Sequence, residues 1–223
     1  MKPHLMKRCS KFQLQLICFV LFFSANIAFA GLAEDLHSVQ QQWAIANYET
    51  QGDAQEKAFA DLTDKVNQLT STYPTAAEMW IWSGIVKSSY AGARGGLGAL
   101  SLAKQSRNEL EKALTLDDDA LEGSAYTSLG ALYSQVPGFP IGFGSDKKAK
   151  AMFAKAMAIN PTGIDSNYFY AQFLLDQGDL EQAQQHYLLA QQAPARPDRP
   201  LADAGRQKEI IAGLHQVQAK LHK

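Results

Sequence analysis

Cysteine is nearly missing from this chain, and where it occurs it is confined. Of the 223 residues only Cys9 and Cys18 are cysteines, both within the first thirty. Beyond that point no disulfide can staple the fold and no thiol can act as nucleophile or metal ligand. Histidine is also sparse. His37, His186, His215 and His222 are scattered, with no His-Glu-x-x-His pair and no nucleophile elbow near them. An enzymatic reading therefore has no motif to stand on, and the chain reads as non-catalytic, with no cofactor and no metal. A basic excess is absent too: the net charge is −1, which excludes the footprint of a nucleic-acid binder. Runs of β-branched residues are few. What remains is text rich in Ala, Leu, Gln, Glu and Lys, broken at short Gly/Pro/Asp clusters, and such text is helical.

The first thirty residues have a character of their own. Lys2, Lys7, Arg8 and Lys11 precede an apolar run over residues 14–29, closed by Ala28-Phe29-Ala30. A basic head, a short apolar stretch and a small-x-small site describe a secretory signal peptide over residues 1–30, cleaved after Ala30. The alternative is a retained membrane anchor. The run is short for a span and carries Ser24 and Asn26 near its end. Cys18 follows Ile17 in mid-run, which is not the setting of a lipid-modified cysteine. Cleavage removes those four basic residues and no acid, so the remaining domain, 31–223, is acidic and little drawn to anionic lipid.

A repeat organises that domain. Tyr126-x-x-Leu129-Gly130-x-x-Tyr133 is followed by Ala149-x-x-x-Phe153-x-x-Ala156 and Pro161. This is the tetratricopeptide pattern of two antiparallel helices, in which small residues let the helices approach and large ones fill the gap. The next unit repeats it, with Ala171 and Ala183 at small positions and Leu174 and Tyr187 at large ones. There Gly178-Asp179 turns the chain and Asp179 with Gln182 forms a capping box. An earlier unit runs from Trp80-x-x-x-Gly84 to Leu110-x-x-Ala113. A first, weaker one holds Ala46, Ala58 and Leu62, with Gly52-Asp53 and Glu56 as turn and capping box. Pro194 to Pro200 is an extended linker, and Ile210, Leu214, Val217 and Leu221 mark an amphipathic helix suited to cap the last repeat. The expected fold is all-α, a right-handed solenoid of about four hairpins (about 32–73, 75–117, 120–160 and 163–193), a linker over 194–200 and a cap helix over 201–222.

Two hairpins exceed the repeat length. The third carries Val136-Pro137-Gly138-Phe139-Pro140-Ile141-Gly142-Phe143-Gly144, an apolar insertion between its helices. The second carries Gly92-Ala93-Arg94-Gly95-Gly96-Leu97-Gly98. Both are expected to form long turns, and equivalent turns of successive repeats stack on one edge. The two loops should therefore be neighbours.

The stretch from Leu129-Gly130-Ala131-Leu132-Tyr133 through Val136–Gly144 to Ser145-Asp146-Lys147-Lys148-Ala149 resembles the signature of the T component associated with TRAP (tripartite ATP-independent periplasmic) transporters. Arg196-Pro197-Asp198-Arg199-Pro200-Leu201-Ala202-Asp203, followed by Gly205-Arg206, is similar to that family's C-terminal motif. The resemblance spans about Trp80 to Leu214. It implies a periplasmic all-helical repeat protein working beside a solute-binding protein that delivers a small acidic or apolar ligand to a permease. The partners expected are that solute-binding protein or another envelope protein, and a small hydrophobic or acidic ligand, with self-association left open. The rival reading is a protein–protein interaction scaffold in an envelope complex unrelated to transport.

Helical-repeat solenoids bind on the concave face formed by the first helix of each hairpin. Counting from Gly84, Gly130 and Ala171 points inward Glu78, Ile81, Ile85, Ser88 and Ser89; then Ser124, Thr127, Ala131 and Ser134; then Asp165, Tyr168 and Gln172. Trp43 and Asn47 join them from the first unit. The competing role is that several of them pack against the cap helix or a loop. Phe139 and Phe143 either line the rim, meet a partner, or plug the solenoid edge. Arg94 either neutralises a ligand carboxylate or is a solvated arginine on a flexible turn. Arg196, Arg199 and Arg206 are read chiefly as structural partners of Asp165 or Asp176. Asp117-Asp118-Asp119 lacks calcium-loop spacing and reads as the cap of a helix from Ala120.

Overall fold

The structure is a computed structural model, and it describes residues 31–222. The expected signal peptide, with Cys9, Cys18 and the cleavage position after Ala30, lies outside the described residues. The chain divides into two units at Ser38/Val39. The described part of the first, residues 31–38, is helical.

All regular structure among the described residues is helical. In order come α1 (39–48), α2 (Gly52–Thr72), α3 (Ala77–Arg94), α4 (Gly96–Leu116), α5 (Ala120–Gln135), α6 (Asp146–Ile159), α7 (Ile164–Asp176), α8 (Leu180–Gln191) and α9 (Pro200–Leu221). α3/α4, α5/α6 and α7/α8 pack as antiparallel hairpins, α3, α5 and α7 lie side by side, and α9 closes on α8 and α7. The architecture is an all-α helical-repeat solenoid.

Small residues set the spacing within each hairpin. A β-carbon on Gly84 would lie 2.6 Å from Leu110 Cγ, and one on Gly130 would lie 2.7 Å from the Phe153 ring. Both large partners are fully buried. Ala171, Ala183 and Tyr187 play these parts in the last hairpin, and Gly213 of α9 abuts Tyr187 in turn. Removing bulk at one position is what admits bulk at the other, which is why the pattern could be read along the chain.

Helix ends are less regular. At α8 the Asp179 side chain accepts from Gln182 N at 3.3 Å, and Gln182 Nε2 donates back to it at 2.5 Å. At α2 the expected capping box is not formed. Gln51 stands at the N-cap without a side-chain bond, and Asp53 is left in the first turn. Gln55 does the tying instead: its Nε2 donates to Ala46 O at 3.0 Å and to Thr50 O at 3.1 Å, satisfying carbonyls at the end of α1. Asp119 does not cap α5 with its side chain either. Asp117 Oδ1 accepts Asp119 N at 3.0 Å, Asp118 Oδ2 accepts the Tyr126 hydroxyl at 3.1 Å, and Leu121, Glu122 and Gly123 then pass through left-handed backbone (φ 48, 55 and 71). Glu122 is held there by Asn160 Nδ2, which donates to its carboxylate at 2.7 Å.

The two insertions differ in kind. The glycine-rich text of the second hairpin is not a long turn. It lengthens the helices, and only Gly95 (φ 63, ψ −171) separates α3 from α4. Glycine at that φ is the cheap solution, since a β-carbon would be strained there. The third hairpin does have a long connection, residues 136–145. It is internally bonded: Ile141 N donates to Gly138 O at 3.1 Å, Gly144 N to Pro137 O at 3.0 Å, and Ser145 N to Tyr133 O at 2.8 Å. A β-carbon on Gly144 would sit 1.8 Å from Val136 O, so the loop cannot close with any larger residue there.

Candidate functional site

The first helices of the hairpins enclose a hollow of about 710 Å³. That lies within the range of small-molecule sites, roughly 300–1,000 Å³. α3 contributes Ile85, Ser88 and Ser89, α5 contributes Ser124, Thr127 and Ala131, and α7 contributes Asp165, Tyr168 and Gln172, with Trp43 and Asn47 from α1. Ser88, Ser89, Ser124, Thr127 and Ala131 are short, and space is what they leave. Ala91, Gly92 and Ala93 line it from the end of α3, and Val136, Pro137 and Ile141 from the long loop. The two insertions thus meet at one cavity, though one of them is helical.

Several expected positions do not reach the wall. Ile81 is fully buried in the core cluster of α3–α6. Glu78 and Ser134 are not among the lining residues, and Ser134 Oγ bonds back to Ala131 O at 2.9 Å. Arg94 does not line the cavity either. Its carboxylate partner is the protein's own Glu56, at 3.7 Å, and its guanidinium lies 5.9 Å from the Tyr90 ring centre. The two loop phenylalanines separate. Phe143 packs inward, edge-on to Tyr133 with the Arg107 guanidinium 4.5 Å from its ring centre. Phe139 is 93 % exposed and Ile141 is 70 % exposed.

The wall has a polar end that counting inward positions missed. α9 returns to the hollow and supplies Arg206 and Glu209, with Arg199 from its N-cap. Gly205 allows this approach, since a β-carbon there would stand 2.4 Å from the Tyr48 ring. Tyr48 Oη in turn donates to Glu209 at 3.3 Å. Arg206 is buried, bonded to Asp165 at 2.8 Å and Glu209 at 2.5 Å, with its guanidinium 4.2 Å from the Tyr168 ring centre. Arg196 bridges Asp165 at 2.7 Å and Asp203 at 2.5 Å. Of the two acids expected to pair with these arginines, Asp165 does so. Burial alone would raise the Asp165 pKa, but Arg206, then Arg196 and Arg199, hold it well below the usual carboxylate range. Burial pushes the Tyr168 and Tyr48 hydroxyls up, so both stay neutral beside these charges.

An aromatic group completes that end. Trp43 and Trp82 meet edge to face at 5.8 Å, Trp43 Nε1 donates to Ser89 Oγ at 2.8 Å, and the Arg199 guanidinium lies 5.0 Å from the Trp82 ring centre. The hollow is thus aromatic and charged at one end and lined by small apolar residues at the other. The polar signal lay in the Arg/Asp-rich linker and α9, whose return to α1 no local pattern announces. Among the described residues there is no group of three or more acidic, histidine or cysteine side chains able to hold a metal ion. None of the described helices is long and apolar enough to cross a membrane.

No curated protein matches the chain. Residues 147–208, from α6 into α9, match the tetratricopeptide repeat family, whose members commonly mediate protein–protein interactions. This segment, packed in helical hairpins, is similar to tetratricopeptide repeats.

Proposed function

We propose that this is a non-catalytic periplasmic binding protein that takes a small amphipathic molecule into its concave hollow and serves a TRAP-type uptake system. The observation that carries the reading is the cavity itself: about 710 Å³, walled by hydroxyls and small apolar side chains, with aromatic rings at one end. The link to transport is supported by the resemblance of Val136–Ala149 and Arg196–Arg206 to T-component motifs. Asp165, Arg206 and Glu209 at the wall are held in fixed ion pairs, which suits recognition more than proton transfer.

Native mass spectrometry of protein isolated from its own envelope tests this. The wild type is expected to carry a small-molecule mass that is lost on activation. Ala131→Trp, which fills the hollow, is expected to carry none while keeping the same helix content. An identical spectrum for both proteins removes the ligand from the cavity.

One observation favours a second reading, an interaction scaffold. Phe139 and Ile141 stand exposed on a loop whose backbone is tied at Ile141, Gly142, Gly144 and Ser145. An ordered loop presenting apolar side chains is a contact surface for another protein.

A further inference from the structure

Three arginines cluster at the charged end of the hollow, Arg199 and Arg206 in its wall and Arg196 behind it, and three carboxylates serve them unequally. Arg196 takes Asp165 and Asp203; Arg206 takes Asp165 and Glu209. Among the described residues Arg199 pairs with no carboxylate. Its Nε is buried without a hydrogen-bond partner, its guanidinium lies over the Trp82 ring, and its side chain lines the hollow. A guanidinium carries five N–H donors and cannot shed its charge. Leaving one partly desolvated and unpaired is costly, and proteins normally answer it with an anion. The ring beneath it fixes its plane, as an arginine must be fixed to receive a planar carboxylate by two parallel bonds.

From this we infer that Arg199 is the anchor for the anionic head of the ligand, and that the ligand is an amphipathic monocarboxylate. The inference rests on the reading of the hollow as a small-molecule site. The body of such a ligand has a place to go. Trp82 and Gly92 are separated by about 15 Å along α3. Between and beyond them the wall passes Ile85, Ala91, Leu100 and Ala103. That length suits an alkyl or aryl-alkyl chain of medium size. The hydroxyls of Ser88, Ser124 and Thr127 lie along the same wall and can accommodate a polar substituent on the chain. A cationic head is disfavoured at this end because the neighbouring carboxylates are already occupied by Arg196 and Arg206. Burial, followed by the repulsion of Arg196, lowers the Arg199 pKa against the more distant attraction of Asp165, Asp203 and Asp198.

The test is calorimetric titration of the whole protein with decanoate and with decyltrimethylammonium, which share a chain and differ in head charge. Wild-type protein is expected to bind decanoate at least about tenfold more tightly than the cation, the discrimination typical of a charge-assisted pair. Arg199→Gln is expected to weaken decanoate by about tenfold or more and to abolish the preference, with circular dichroism unchanged. Ala131→Trp is expected to abolish binding of both probes. If wild type takes both heads equally, the anchor is overturned, and this result needs no variant to fold. If Arg199→Gln binds decanoate as wild type does while Ala131→Trp does not, the cavity reading survives and the anchor falls. If neither probe binds wild type, both readings fall together.

Discussion

At the scale of single residues, the costliest arrangement in the fold is a buried lysine. Lys87 is 2 % exposed in the middle of α3, surrounded by Glu109 of α4, Asn67 of α2 at 2.8 Å and Ser83 at 3.3 Å. Its ion pair with Glu109 joins two helices, and the Asn67 bond brings in a third. Such a pair contributes little net stability, because desolvation cancels the attraction, but removing one partner strands the other in a dry site. Glu109→Leu is therefore expected to destabilise the protein by about 3–5 kcal/mol. The double variant Lys87→Met/Glu109→Leu is expected to recover most of that loss, because no charge is then left unpaired. Urea unfolding of the four proteins of the cycle measures it. A double variant as unstable as the single would show that Lys87 supports the fold through its other bonds.

The element that most separates this chain from a plain repeat is the loop over residues 136–145. Its ends are fixed by Tyr133 and Ser145, its interior by three backbone bonds, and its inward face by Phe143 on Tyr133 and Arg107. That leaves Phe139 outside with nothing to pack on. Phe143 and Phe139 thus answer differently the question their spacing posed, one as packing and one as surface. A pull-down from envelope extract separates the two proposed functions at this scale. Replacing residues 137–143 by a short polar turn is expected to lose a protein partner captured by the intact chain. Phe139→Ser alone, which disturbs no packing, is expected to lose the same partner. Equal capture by all three proteins would discharge the loop from partner binding and leave the cavity as the functional feature.

At the scale of the whole molecule, the fold class was legible because its cause is local. Gly130 opposite Phe153 and Ala171 beside Ala183 leave a periodic trace, since each hairpin solves the same packing problem with its own residues. Most of the inward positions of α3, α5 and α7 followed from the same periodicity; Ile81 is instead buried in the core, and Glu78 and Ser134 do not line the hollow. The glycine text at 92–98 was misread as a turn because composition does not distinguish a loop from a helix that tolerates glycine. Arg199, Arg206 and Glu209 went unseen as wall residues because they depend on α9 meeting Tyr48, more than 150 residues away in sequence. That same closure gives the molecule its pH response. Asp165 is held below its ordinary range by Arg206, Arg196 and Arg199, so its contribution is present above an unfolded value of about 3.9 and is lost as pH falls through the folded value. Burial lowers the pKa of His186, whose Nδ1 lies 2.8 Å from Asn167 Oδ1, so the unfolded chain gains a proton first as pH drops below about 6.5. Burial raises Tyr48, Tyr168 and Tyr187, so stability falls again as pH climbs past about 10, where only the unfolded tyrosines ionise. Urea midpoints are therefore expected to form a plateau between about pH 7 and 9, with a shallow step below 6.5 and a steeper one below 4. His186→Gln should erase the first step and spare the second. Asp165→Asn should lower the plateau and flatten the second, because Arg196 and Arg206 then lose their shared carboxylate at every pH. A steep acid step that persists in Asp165→Asn would place the pH response elsewhere than in the contact between α9 and the repeats.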